Sequence, residues 1–491
     1  MGKTQAGSGK VADAGVVFPE GQSGSALLSR LMSETIGAHP AAFGAMRVPR
    51  GKAFRSGYGE LVARFESLRA ASAQRAAIAL FATRRQLETF EYLGERGRTP
   101  LLAAFEEPAE PLPLQSGAGA PPAGAVVEVP YLGRSYRGAE LAGLARGFVE
   151  RHVATHAAAR ALAWIGERAD PSGALDLRGE SLAVLGAAAE IAPTAQLIRG
   201  GARVLWIDVQ EPPAELRCAN VQWAPGGADL LAQPARIART IEAFAGGRPV
   251  RLAAYAYAPG RGREWRLAVA MNAIAHRLPR GLASSLSMLL SPTTPAVVQP
   301  EDLEALLSRK SRAPLWQRAL AGSGFLGPAH LGGGSATVVR AVVAAQGPTY
   351  QAAQYAAKRL AAEAFAAYGA QLDECSPAPL LVSANVAPIT RTRSLQHPVF
   401  EAGFLGAPRF GVEIFDPAAT RALGAMLTLH DLLNPASPSA ALRDAAQAGS
   451  IFTEQIHGGI FGMPWALDPA IAAAAVLGLG QRPKLLLRML R

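Results

Sequence analysis

Cysteine is nearly absent: Cys218 and Cys375 are the only two in 491 residues. That is too few for a disulfide framework or a cysteine-ligated zinc site. Charged residues are also sparse, at 18%, and aromatics make up 7%. Cations exceed anions by 11, which favours anionic partners in general. The arginines are scattered among glutamates, however, and no motif interleaves them with aromatics, so no specific nucleic-acid site is predicted. Long apolar runs are missing too. The stretch AIAAAAVLGLG from Ala470 falls far short of the roughly 20 residues that span a bilayer. No apolar core of a secretory signal stands near the start, and MGKTQA has Ala6 where myristoylation needs Ser or Thr. A soluble cytoplasmic protein is expected.

Apolar residues make up 49% and mean hydropathy is +0.14, so a sizeable core can be buried. Residues 1–25, rich in Gly, Ser and Ala, are predicted to be disordered. Within them GSGKV lacks the glycine spacing, the Ser/Thr and the preceding strand of a phosphate-binding loop. Helical periodicity from Tyr58 to Arg96 marks 26–105 as a helical extension. A Pro/Gly/Ala linker follows at 106–125. Over 126–178, VVEVPYL reads as a strand and GAELAGLARGFVERHVATHAAARALAWIGER as one long helix. From 179 to 415, seven apolar runs alternate with amphipathic helices: LAVLG, ARVLWIDV, NVQW, VRLAAYAY, SLSMLL, LLVSANV and FGVEIF. This pattern predicts an α/β fold with a doubly wound, Rossmann-type parallel sheet of about seven strands. Residues 416–491 are predicted to be C-terminal helices, opened by Asp416-Pro417 and ending in a basic tail, RPKLLLRMLR. That tail suits a docked helix, or one that touches a membrane surface or a protein partner.

The stretch SLAVLGAAAEIAPTAQLIRGGARVLWIDV has the outline of a dinucleotide-binding strand–turn–helix–strand. Gly186 holds the first glycine position of the turn, while Glu190 and Ala192 stand at the other two, with Ile191 between them. Glu190 competes with phosphate for amides at a helix start. Asp208 ends the second strand, 22 residues beyond Gly186, where an acid binds ribose hydroxyls and favours NAD over NADP.

Later segments resemble the short-chain dehydrogenase/reductase family over 179–415. GGADLLAQPARIARTI is similar to the end of that family's third strand, which implies that Asp229 and Leu230 bind adenine. RLAAYAYAPG falls on its Asn-Asn-Ala-Gly strand with only Ala256 matching. WRLAVAMNAIAHRL supplies Asn272 at the proton-relay position. LLVSANVAPITRT resembles the Val-Ala-Pro-Gly-x-x-x-Thr strand, which implies Pro388 and Thr392 beside the nicotinamide, with Ile389 replacing glycine. The family's Tyr-x-x-x-Lys pair is incomplete in GPTYQAAQYAAKRLAAEAF. Tyr350 has Gln354 at the lysine position, and Tyr355 has Lys358 three residues on. In SLSMLLSPTT, Ser291 matches the family's serine, with Ser287 second. The 292–349 segment is an insertion before the tyrosine helix.

The resemblance implies an NAD(H)-linked oxidoreductase acting on a carbonyl or alcohol, with a small-molecule or acyl substrate. Tyr350 would be the acid/base, Ser291 would orient the carbonyl, Asn272 would relay protons, and Lys358 would stand in weakly for the lysine. Gln354 would meet the cofactor ribose. The altered motif keeps a second reading open: a catalytically inactive Rossmann scaffold serving as an interaction or structural module, with the tyrosines packing the helix or a homo-oligomer interface. Other candidates are blander. His152 and His156 share a helix face at ligand spacing but lack a third ligand, so no metal site is predicted. His430-Asp431 reads as a helix C-terminus, and Arg391, Arg393 and His397 as surface cations.

Overall fold

The computed structural model describes residues 14–260, 262–333, 336–369, 379–395 and 397–489. The GSGKV stretch and Cys375 lie outside the described residues. Six parallel strands form the centre: β1 (Ser181–Leu185), β2 (Arg203–Ile207), β3 (Val221–Trp223), β4 (Val250–Ala254), β5 (Ala283–Leu290) and β6 (Leu381–Val386). They lie in the order β6-β5-β4-β1-β2-β3, and Gln115–Ser116 adds a seventh, antiparallel strand beside β3. The order reverses between β1 and β4, so the chain leaves these neighbours toward opposite ends of the sheet and a crevice can form there.

The strands read as continuous apolar runs because both sheet faces are covered. Ala183, Leu185, Leu205, Ile207, Leu252 and Ala254 belong to one core. Their alternates, including Leu182, Val184, Val204, Trp206 and Trp223, belong to the other. The first face carries α6 (Pro234–Ala245), α7 (Arg263–Arg277) and α8, a continuous helix over 348–368 whose middle, Ala352–Leu360, winds in wider π-helical turns. The second face carries α4 (Glu140–Glu150), α5 (His156–Arg168) and α10 (Pro417–Leu433). Outside α8 lie the N-terminal helices α1 (Gly24–Ala38), α2 (Gly51–Ala70) and α3 (Arg75–Thr89). Near the C-terminus, α9 (Pro398–Gly406) packs on α11 (Leu467–Gln481). Among the described residues no helix is long and apolar enough to cross a membrane.

Several local expectations are corrected. The run FGVEIF is not a sheet strand: Gly411 turns with a φ of 73°, and only Phe415 touches the sheet region, through a bridge to Thr390. The seventh strand comes instead from the predicted linker. The long helix over 138–168 is two, because His152 takes a φ of 53° and Thr155 caps α5 by accepting from Ala158 N. His152 and His156 therefore do not share a helix face. Gly15–Val17, in the segment expected to be disordered, is a buried strand paired with Glu91–Gly94, which pairs in turn with Gly97–Pro100. The basic tail forms a short helix, Lys484–Met489, and Arg482 and Arg488 reach Glu401 of α9. The 292–349 insertion holds two helices, Pro300–Ser311 and Leu315–Gly322, and a small antiparallel sheet.

Candidate functional site

The turn after β1 is built on Gly186, whose φ of 88° is left-handed and suits glycine. A β-carbon there would lie 2.2 Å from Ala256 N and 2.7 Å from Ala256 Cβ. The turn is thus in close contact with the chain leaving β4, whose Ala256 N donates to Leu185 O at 2.9 Å. The turn's amides are also engaged. Gly186 N and Ala187 N donate to Ile207 O at 2.8 and 3.3 Å, and Ala188 N donates to Asp208 Oδ2 at 3.0 Å. The other Asp208 oxygen accepts from Gln210 N at 3.0 Å, and burial pushes this carboxyl above its ordinary range.

The expected helix start is displaced. The helix begins at Thr194 and has six residues, because Gly186–Pro193 is spent on turns. Glu190 faces away from the turn amides: Oε2 accepts from Tyr257 OH at 3.3 Å and Arg393 N at 3.2 Å. On the adenine side, Asp229 Oδ1 accepts from Leu231 N and Ala232 N at 2.8 and 3.2 Å, and Leu230 is buried. The N-terminal sheet sits on this segment, with Val16 N donating to Leu231 O at 2.9 Å and Tyr92 OH to Ala232 O at 2.7 Å. A bound dinucleotide needs open amides at the first turn and a free acid for its ribose. Here the amides of Gly186, Ala187 and Ala188 and one lone pair on each Asp208 oxygen already hold bonds within the chain.

A different cavity opens at the C-terminal ends of β4, β5 and β6. Its volume is about 460 Å³, within the usual span of small-molecule sites. Tyr350, at the start of α8, donates to Ser291 Oγ at 2.9 Å, and Ser291 Oγ lies 2.8 Å from Thr293 Oγ1. Burial, reinforced by Glu264, pushes the Tyr350 phenol up to about 12, although Ser291, Thr293 and Gln346 oppose the rise. Tyr350 is therefore a proton-bearing donor at neutral pH. One and two turns along the same helix face, Gln354 donates to Glu264 and Lys358 Nζ lies 3.3 Å from Glu264 Oε1. The lysine charge is thus matched by a carboxylate rather than offered to the tyrosine.

The cavity brings together Ser291, Tyr350, Gln354, Lys358, Ile191, Pro388 and Thr392. Gly186, Asp208, Asp229, Leu230 and Ala256 are not among the residues that line it. Asn272 lies between helices instead, donating to Ala357 O at 2.7 Å, a carbonyl in the π-helical turns. Tyr355 is in the core, 2.6 Å from Glu66 Oε2, and Ser287 is buried in β5. Glu264, from α7, and Ile471, from α11, line it without any sequence signal, and Phe400 and Phe404 of α9 complete an apolar wall with Ile471.

His430 and Asp431 stand in the last turn of α10, as the sequence suggests, and are buried against β6. His430 Nδ1 lies 3.0 Å from Glu454 Oε2, and Asn434 Nδ2 lies 2.8 Å from Nε2. An amide donor at Nε2 leaves the ring proton on Nδ1, facing the glutamate. Asp431 Oδ2 accepts from Ser383 Oγ at 2.7 Å and Asn385 Nδ2 at 3.1 Å. No protein-family model, curated protein or solved structure matches the chain.

Proposed function

We propose that this chain is a Rossmann-type scaffold, similar in plan to the short-chain dehydrogenases, that binds a small neutral carbonyl or hydroxyl compound without transferring hydride to it. Numbered along the chain, the parallel strands run 3-2-1-4-5-6 across the sheet, the order of doubly wound nucleotide folds, which supports the comparison. One contrast carries the reading. Asp208 closes on Ala188 N and Ala256 packs against Gly186, while the cavity beside Tyr350 and Ser291 stays open.

Tyr350 donates its one proton to Ser291, which leaves the Ser291 hydroxyl to donate to a ligand oxygen and the Tyr350 oxygen to accept from a ligand hydroxyl. The paired Lys358 and Glu264 leave the polar end without net charge, so a neutral head group is favoured. Isothermal titration tests this. No NADH binding up to millimolar concentration is expected, whereas a simple ketone such as cyclohexanone should bind, and binding should fall at least tenfold in Tyr350→Phe, since a buried polar partner is left unpaired.

A second reading is the NAD(H)-linked oxidoreductase, favoured by the 2.9 Å Tyr350–Ser291 contact. Micromolar NADH affinity that collapses in Asp208→Ala would establish it and overturn the first.

A further inference from the structure

The cavity does not end at its polar residues. Ile389, Phe400, Phe404 and Ile471 line it and also line a second cavity of about 50 Å³ between α9 and α11. Every side chain around that second space is apolar, Phe410, Met463 and Leu467 among them. The two spaces are therefore neighbours across these four side chains, the one polar at Ser291 and Tyr350 and the other hydrocarbon-like beyond Ile389.

The apolar arm is held open by the way its helices pack. A β-carbon at Gly406 would lie 1.9 Å from Ala474 O, and one at Gly478 would lie 1.9 Å from Ala402 O. The backbones of α9 and α11 are already in contact at these points and cannot approach further to fill the space. Protein interiors are close-packed elsewhere, and an apolar space of this kind is a place for apolar atoms.

We infer that the ligand is a long-chain aliphatic alcohol or carbonyl compound, its oxygen on Ser291 and Tyr350 and its hydrocarbon tail between α9 and α11. This rests on the pocket reading above and adds the chemistry of the tail. The head is neutral. Lys358 is matched by Glu264 at 3.3 Å, and that carboxylate disfavours a fatty acid's own.

The test uses the full chain and displacement of a fluorescent naphthylamine probe by butanol, octanol, dodecanol and dodecanoic acid. Affinity for the alcohols should rise about three- to four-fold per added methylene until the arm is full, and dodecanol should bind more tightly than dodecanoate. Gly403 lines only the apolar arm, and a β-carbon there would meet only Ile471 Cγ2, at 3.9 Å. Gly403→Leu should therefore fill the arm, weakening dodecanol at least tenfold while butanol moves less than twofold. Should that variant unfold, the chain-length series on the unaltered protein still decides.

A flat series, or tighter binding of the acid, overturns the inference. If cyclohexanone binding through Tyr350 persists in that case, the pocket reading stands without the aliphatic tail. If neither ketone nor alcohol binds at any length, both fall.

Discussion

Asp208 shows how one carboxylate can serve two incompatible ends. Its position at the end of β2 suits a ribose, yet its oxygens hold Ala188 N and Gln210 N at 3.0 Å each. A partly buried amide that loses its acceptor costs about 1–3 kcal/mol. Asp208→Ala should therefore lower unfolding free energy by about that amount in urea denaturation. A residue waiting for a ligand would be close to neutral in the same measurement. The spacing from Gly186 to Asp208 was readable because it is local. What the acid bonds to was not, since that depends on how the turn closes and on the loop from Val209 that brings Gln210 back.

Among elements, α8 joins the site to the rest of the core. Its first turn carries Tyr350, and its last part carries Glu363, fully buried. Arg69 of α2 clasps Glu363 with two bonds of 3.0 Å, and Arg75 of α3 adds bonds of 2.7 and 3.0 Å. Burial alone would raise the carboxyl, but the two arginines outweigh it and hold it down at about 2. Glu363→Gln should destabilise by about 3 kcal/mol at pH 7, because buried Arg69 keeps only Glu66 as a carboxylate partner and half-buried Arg75 loses Glu363. The native value lies below the unfolded 4.5, so this contribution is present above pH 4.5 and disappears as pH falls toward 2. Denaturation midpoints of variant and parent should converge over that range.

The seam between β6 and α10 has the opposite sign. Burial, with Glu454 nearby, raises Asp431 from 3.8 to about 7, against the bonds from Ser383 and Asn385. Its contribution is present below pH 3.8 and is lost as pH rises to 7. In thermal melts, Asp431→Asn should be more stable relative to the parent at pH 8 than at pH 4. A constant difference across that range would refute the assignment.

At the scale of the whole molecule, legibility followed burial. The six parallel strands could be read because both their faces are covered, leaving unbroken apolar runs such as Leu182–Leu185. Gln115–Ser116 could not, since both residues are exposed and the pairing depends on β3 rather than on their own character. The break at His152 was hidden because apolar spacing continues across it from Phe148 to Leu162. Family resemblance singled out Ser291 and Tyr350, and the fold brings them within 2.9 Å although 59 positions separate them. The apolar arm stayed invisible, because residues from α9 and α11 acquire a shared role only when those helices cross.

The clasp on Glu363 also constrains the order in which the protein can be made. Arg69 and its partner are 294 residues apart. At 5–20 residues per second, a ribosome needs roughly 15 to 60 s to deliver the second after the first. Throughout that interval α2 and α3 have only Glu66 to answer Arg69 and lack the α8 surface that later covers them, so this part of the core can close only once most of the chain has been synthesised.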